Sequence, residues 1–588
     1  MEPGPPEVSD RPAVRPTVCL SMIVRDEAHV VAETLAAVAS HLDHWVVVDT
    51  GSTDGTQDVV RAFFAEAGIA GELHERPWRD FGTNRTEALA LAAGKADYTW
   101  VIDADDLVVG DLDLSGLTAD AYAVRYGPDF VFWRTQIFRS ALTWRYEGVL
   151  HEYPVCDEPG VRIERLEGDH HFVWRTLGDR SRAADKFERD VAVLTAAHEA
   201  DPENARTVFY LAQSLRDAGR PVEAAHLFGR RAAMGGWDEE VYVARLERAR
   251  CLERAGAAWS EVQAAHLEAW NGRPQRAEAL HELARHHRLA GDWAAGHLFA
   301  TRGLELALPD DALFVDTTVH RWRLADEAAI CAYYLGRPEE SLALNRRLLA
   351  EGHLPDEERP RVEGNLVFAL DALAARPVEH RPDLVVDRVA LAADRVAGRR
   401  PPGEVTLTIT AGRRRALLEQ TVDSFLACCD DVDRIDRWIC IDDGSDPTDR
   451  VALADRYPFI EFIWKDAADA GHARSLNRLR DLVDTPWWLH LEDDWRFVVP
   501  GPHITRAIEI LDDDPALGQV LFNRCYAETP ADLDLSGGSI HHTPSGARYW
   551  RQEHLEGDAF AAHLAALPPG GRSNAWWPHY SLRPALLR

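Results

Sequence analysis

Twice in this chain an apolar run of strand length ends abruptly in acid. Thr99–Trp100–Val101–Ile102 runs into Asp103–Ala104–Asp105–Asp106, and Trp487–Trp488–Leu489–His490–Leu491 runs into Glu492–Asp493–Asp494. A buried strand that delivers carboxylates at its end belongs to an open α/β sheet, which binds ligands at the carboxyl ends of its strands. If the first strand continues, Asp103 and Asp105 emerge on the same side of it, because side chains alternate with period two. Two carboxylates placed so suit a hard, oxygen-seeking cation such as Mg²⁺ or Mn²⁺. Alone, an Asp-x-Asp is short and common, and it ends an acidic turn just as well. The surrounding sequence has to decide.

At 588 residues the chain exceeds one core and predicts three or four domains. Its 65 basic and 97 acidic residues give a net charge of −32, which excludes non-specific nucleic-acid binding. A bound cation would still let an acidic protein hold a diphosphate. Lysine occurs only at Lys95, Lys186 and Lys465, so arginine carries nearly all the positive charge. The 8 cysteines show no Cys-x-x-Cys spacing and read as reduced thiols of a cytoplasmic protein. Residues 1–16 are Pro-rich and acidic, predicting a disordered leader and neither signal peptide nor anchor. No window approaches the ~20 apolar residues of a membrane span.

From Thr17 the pattern is β–α–β–α with short connections. Thr17–Val24 is an apolar strand, followed by Arg25–Asp26–Glu27 and a helical pattern through Ala39. Trp45–Asp49 is a second strand and Thr50–Gly51–Ser52–Thr53–Asp54–Gly55–Thr56 a turn, with a helix from Gln57 to Ala67. Such alternation predicts a parallel, doubly wound (Rossmann-like) sheet. The turn sets Asp49 and backbone N–H groups at a helix N-terminus, where a nucleotide can be met, although a plain capped turn reads the same.

Four blocks in order, Ser21-Met-Ile-Val-Arg-Asp-Glu27, Val48-Asp-Thr-Gly-Ser-Thr-Asp-Gly-Thr56, Thr83-Asn-Arg-Thr-Glu-Ala88 and Ile102-Asp-Ala-Asp-Asp106, resemble the family 2 glycosyltransferases of GT-A fold. Asp26 replaces the Asn common before Glu27, and Thr50 replaces a second Asp that helps hold the base in many members. The resemblance implies an inverting, metal-dependent transfer from a nucleotide sugar such as a UDP-sugar. It assigns Asp103 to the ribose or metal-bound water, Asp105 to Mn²⁺ or Mg²⁺, and Glu27, Asp49 and Asp54 to the donor pocket. A cation beside the diphosphate stabilises the leaving group's developing charge.

Residues 121–178 should carry the acceptor side. Trp144–Tyr153 is dense in aromatic and ionisable groups, and Gly148–Glu152 resembles a Gly-x-x-His-Glu block of repeat-linked family members. His151 is a candidate metal ligand or a structural histidine. The base that takes the acceptor proton is Glu152 or Glu147, with Asp169 a poorer candidate. Asp169–His170–His171 could serve the diphosphate, although paired surface histidines are more often inert.

Across 179–385 strand signals give way to Ala/Leu/Arg/Glu helical periodicity. Turn glycines Gly219, Gly256, Gly291 and Gly336 are spaced 37 (256−219), 35 (291−256) and 45 (336−291) apart. Leu211, Ala212, Leu215, Gly219, Ala224 and Phe228 sit at tetratricopeptide offsets, and the period is near the ~34 residues of that repeat. Four stacked hairpins are expected, with a groove for peptide or for a second copy in a homodimer.

Residues 386–402 read as a linker, and the α/β order restarts over 403–588. Val405–Thr410, then Asp442–Asp443–Gly444–Ser445, Gly471–Asn477 and Glu492–Asp494 follow the first half block by block. The fold class is therefore α/β plus all-α, two GT-A-like domains flanking a helical repeat domain. Asp442, Asp443 and Glu492 are the second donor-site candidates, and Glu492 and Asp494 the second metal candidates. Asn574–Tyr580 is a further aromatic–histidine cluster on the acceptor side. Only about 94 residues (588−494) follow Asp494, which predicts a minimal acceptor half or a truncated chain.

The leading expectation is a nucleotide-sugar glycosyltransferase acting on a peptide, protein or glycan, with one or both halves active. A nucleotidylyltransferase competes, but such enzymes open with a Gly-rich basic loop that Val24–Glu27 lacks. An interaction scaffold with inert flanks also competes, and it leaves the two acidic motifs unexplained.

Overall fold

The computed structural model describes residues 15–178, 185–469, 471–522, 535–536, 538–552, 555–567, 572–573 and 585–588. The Asn574–Tyr580 cluster and most of the leader lie outside the described residues. The chain divides into two compact units, 1–327 and 328–588.

The first unit is built on a ten-stranded sheet. Strands β1 (Val18–Val24), β2 (His44–Asp49), β3 (Gly71–Glu75) and β4 (Tyr98–Val101) lie parallel in the order β3-β2-β1-β4. Helices α1 (Val31–Val38), α2 (Thr56–Ala67) and α3 (Phe81–Ala92) supply the crossovers. β1 and β4 are almost entirely buried, which is why both read as continuous apolar runs and not as alternating ones. Leu20, Met22, Val47, Trp100, Leu35 and Phe64 meet in the core beneath the sheet. Asp80 caps α3 by accepting from the Thr83 amide over 2.7 Å.

The sheet continues past β4 with β5 (Leu107–Gly110), β6 (Ala121–Tyr126), β7 (Phe130–Arg139), β10 (Ile163–Arg165) and β11 (His170–Val173), β7 running antiparallel to both β4 and β6. A separate hairpin, β8 (Trp144–Glu147) and β9 (Tyr153–Cys156), carries the Gly148–Glu152 block in its turn. β4 stops at Val101, and the Asp106 amide bonds the Asp103 carbonyl over 3.2 Å. A turn therefore presents the carboxylates, and the strand alternation expected for Asp103 and Asp105 does not reach them.

Antiparallel helices follow from Lys186–Ala200 to Trp293–Leu304. Gly219, Gly256 and Gly291 each join two of them at φ 75, 74 and 81, a left-handed turn that a side chain resists. Between the third and fourth turn glycines the spacing lengthens because residues 305–318 leave the array and reach the sheet. There β12 (Val315–Asp316) pairs antiparallel with β7, the Trp133 amide donates to the Ala312 carbonyl (2.8 Å), and the Thr317 amide to that of Asp129 (2.7 Å). Phe314 stacks on Phe130 with centroids 5.4 Å apart. Fully buried Arg276 holds this excursion from the helical side, donating to Asp311 and to the Leu313 and Phe314 carbonyls.

The second unit opens with helices, among them Pro338–Ala350 and Arg359–Ala375. Pro382–Val396 is also a helix, so much of the expected linker is helical; Leu384 and Val385 pack against the core of this unit. Its sheet repeats the first unit's order. β13 (Val405–Ala411), β14 (Ile435–Asp442), β15 (Glu461–Trp464) and β16 (Trp487–Glu492) are parallel in the order β15-β14-β13-β16, with strand Ala585–Leu587 antiparallel to β16 and to β17 (Gln519–Leu521). The resulting fold is α/β with a tetratricopeptide-like helical array and two doubly wound sheets of the same strand order.

Among the described residues no helix is long and apolar enough to cross a membrane. Seven cysteines are described, all free and all but Cys156 buried.

Candidate functional site

At the carboxyl edge of β1 and β2 two turns lock together. Asp26 adopts φ 56, unusual for a residue with a side chain, and its amide donates to Ser52 Oγ over 2.9 Å. The Glu27 amide donates to Thr56 Oγ1 (2.8 Å), and Asp54 accepts from the Ala28 amide (2.9 Å) and from Thr56. Hydrogen bonds hold the Asp54 carboxyl below its usual range against the opposing effect of partial burial. Asp54 thus ties the turn together. Asp49 is buried; its Oδ1 accepts from the Gly51 and Ser52 amides, both at 2.9 Å, while Oδ2 is buried without a partner. An unmatched carboxylate oxygen at this edge is suited to a ligand hydroxyl or N–H.

Glu27 and Asp105 converge on Gly178. A β-carbon added there would sit 3.1 Å from Glu27 Oε1 and 3.4 Å from Asp105 Oδ2, and the Gly178 amide donates to that Asp105 oxygen over 3.0 Å. Arg175 fastens the same segment, its Nε donating to the Asp105 carbonyl (2.7 Å) and its guanidinium pairing with Glu33 (2.5 Å). Burial, with the nearby Asp103 charge, raises the Asp105 carboxyl, opposed by the Gly178 hydrogen bond.

Asp103 sits in a different setting. Its two oxygens pair with Arg85 and with Arg134, the latter at 2.8 Å. Arg85 also holds Glu152 (2.5 Å), and Arg134 stands 3.7 Å from it. Arg85 and Glu152 are almost fully buried, so two guanidinium groups and two carboxylates form one neutral network. The arginines pull the Asp103 carboxyl far below the ordinary carboxylate range despite its burial. Behind it, Tyr126 donates to Asp106 over 2.5 Å, and burial pushes the Asp106 carboxyl up to about 8.

The remaining candidates lie on the hairpin. Glu147 accepts from Arg145 (2.8 Å) and Tyr153 (2.9 Å) and is half-exposed. His151, at φ 53, stacks on Tyr210 of the helical array with centroids 4.0 Å apart, and its carbonyl accepts from Arg206 over 2.9 Å. Asp169 precedes β11; His170 is buried and His171 half-buried, and burial lowers both imidazoles.

In the second unit Asp442 accepts twice from Ser445, at 2.8 Å from the amide and 2.6 Å from the hydroxyl. Asp443 pairs with buried Lys465 (2.9 Å) and accepts from the Gly471 amide (2.7 Å). Glu492 stands 3.9 Å from His472. Arg414 spans Asp493, which is buried, and Asp494 (3.0 Å).

Thus the fold brings Glu27 near Asp105 and joins Asp103 to Glu152 through Arg85, while Asp49 and Asp54 bind separate groups of one turn region. Among the described residues no three His, Cys, Asp or Glu side chains assemble as a metal cage. Asp105 alone still fits Mg²⁺ or Mn²⁺, which are commonly held by one or two carboxylates plus substrate phosphates and water. Sequence reasoning gave no role to Arg85, Arg134 or Gly178. Arg85 stood inside the Thr83–Ala88 block, a signal available in the sequence; Arg134, in an ordinary-looking strand, and Gly178 carried none.

The chain matches the model of glycosyl transferase family 2 over residues 19–144, the segment that builds β1–β4 and the acidic turns. A TPR repeat-containing protein of Synechococcus elongatus is 42% identical over 92 residues, covering 16% of this chain and 21% of that protein. The match therefore spans about a fifth of that relative's length. Among solved structures, MamA is 14% identical over 30% of this chain and 95% of its own, with TM-score 0.24. Staphylococcus aureus TarS 1-349, crystallised with UDP-GlcNAc, is 14% identical over 44% of this chain and 93% of its own, with TM-score 0.25. In the first unit, then, a segment similar to glycosyl transferase family 2 is followed by an antiparallel helical array.

Proposed function

We propose that the first unit transfers a sugar, with inversion, from a nucleoside-diphosphate sugar such as a UDP-sugar to a peptide, protein or glycan acceptor. The observation that carries this reading is the approach of Glu27 and Asp105 to one glycine, whose amide donates to Asp105, at the carboxyl edge of the family-matched strands. Asp49, with its free oxygen, meets the nucleoside, and the interlocked Asp54 turn fixes it. Asp105 would hold Mn²⁺ or Mg²⁺, which when bound neutralises the diphosphate as it leaves.

Glu152 accepts the acceptor's proton. The deprotonated acceptor atom attacks the anomeric carbon from the face opposite the diphosphate, and the bond to the diphosphate breaks as the new one forms. Arg85 bridges Glu152 to Asp103 and so fixes the base relative to the donor side. Glu147 is the alternative base, on the exposed face of the same hairpin.

The full chain, incubated with a panel of nucleotide sugars and Mn²⁺, should release nucleoside diphosphate with one donor. Asp105→Asn should lower the rate by ~100-fold or more, as loss of a transition-state charge stabiliser does. No release with any donor, or an unchanged rate in Asp105→Asn, overturns the reading.

A further inference from the structure

The two sheets can be aligned by their own pairing registers. Val18 of β1 pairs with Tyr98, and Val405 of β13 with Trp487. Counting along both strands sets Asp26 against Arg413, Glu27 against Arg414, and Asp105 against Asp494. The turns confirm the alignment: Asp26 and Arg413 have φ 56 and 57, and their amides donate to Ser52 Oγ and Ser445 Oγ at 2.9 and 3.1 Å.

At this matched pair of positions the charge pattern reverses. In the first unit both positions are carboxylates, Glu27 and Asp105, which lie beside Gly178, and the glycine amide donates to Asp105. In the second unit the pair is Arg414 and Asp494, 3.0 Å apart, and the same guanidinium also reaches buried Asp493. The remaining carboxylate, Glu492, stands 3.9 Å from His472. A guanidinium paired with two adjacent carboxylates supplies the positive charge there and occupies carboxylate oxygens that a metal would use.

We infer that the second unit holds no divalent cation at Glu492–Asp494, and that Arg414 is its built-in counter-charge. The metal expected there from the acidic motif does not fit the residues present. Nothing in this inference depends on the first unit's chemistry.

The test counts bound Mn²⁺ on the full chain by the electron paramagnetic resonance signal of free Mn²⁺. The Asp105→Asn variant isolates the second unit and should bind none at its acidic motif. Adding Arg414→Ala should create one site, and adding Asp494→Asn to that should abolish it. Arg414→Gln, which keeps side-chain length and hydrogen bonding, repeats the gain if the alanine variant misfolds. A site in Asp105→Asn that Asp494→Asn removes overturns the inference, and so does a count that neither Arg414 substitution changes. If the unaltered chain binds no Mn²⁺, the metal reading of the first unit fails, while the Arg414 arms still decide this one.

Discussion

The Gly178 amide and Asp105 Oδ2 lie 3.0 Å apart, a backbone donor aimed at the carboxylate proposed above to hold a cation. Gly178→Ala would insert a carbon 3.1 Å from Glu27 Oε1 and 3.4 Å from Asp105 Oδ2. The expected cost is about 1 kcal/mol of stability, from overpacking. Weaker Mn²⁺–nucleotide binding should accompany it. Thermal melting and a nucleotide titration check the two effects, and unchanged binding would show that this contact does not shape the donor site.

Arg85 is the most consequential single side chain in the network. It is almost fully buried between Asp103 and Glu152. Removing one partner of a buried ion pair leaves uncompensated charge, so Arg85→Ala should destabilise by roughly 3 kcal/mol. Denaturant midpoints measure this. Arg85→Lys should recover only part of the loss, because ammonium cannot reproduce the fork that reaches two carboxylates.

Acid should loosen the helical array. Burial lowers the imidazole of His266 from 6.5 to about 4 and that of His281 to about 3. Both side chains then stay neutral in the folded array while the unfolded chain takes up protons below pH 6.5. The unfolded state binds more protons in this window, so stability present above pH 6.5 is lost as pH falls toward about 4. Urea midpoints at neutral and at mildly acidic pH should differ, and His266→Phe should shrink the difference.

Tyr210 links the array to the hairpin turn through its stack on His151, planes 6° apart. Tyr210→Ala should cost about 1 kcal/mol from the lost aromatic pair. It should lower acceptor transfer while leaving nucleotide affinity unchanged. Initial rates against acceptor, compared with a donor titration, separate the two.

Much of this architecture was legible in the sequence. Buried parallel strands read as unbroken apolar runs, so β1, β2 and β4 were found within a residue or two, and the turn glycines marked the helical hairpins. What escaped depends on distance along the chain. Arg134 meets Asp103 across 31 residues and Gly178 meets Asp105 across 73. Neither contact leaves a local pattern. The acids of the second unit were visible as a motif, yet Arg414 lies 80 residues before Asp494, and only the folded sheet brings the two together. The end of β4 at Val101 escaped for another reason: Ile102 is as apolar and buried as the strand before it, so hydropathy could not separate strand from turn.

The excursion at residues 305–318 bears on how far this chain is modular. Because Arg276 anchors it in the helices while Val315 and Asp316 extend the sheet, lobe and array share an internal rivet. A chain ending at residue 178 would leave Phe130 and Phe132 without the cover of Phe314 and the amide of Trp133 without its acceptor. Transplanting the family-matched lobe, or exchanging its helices for those of another repeat protein, would therefore have to carry the third hairpin along with this strap.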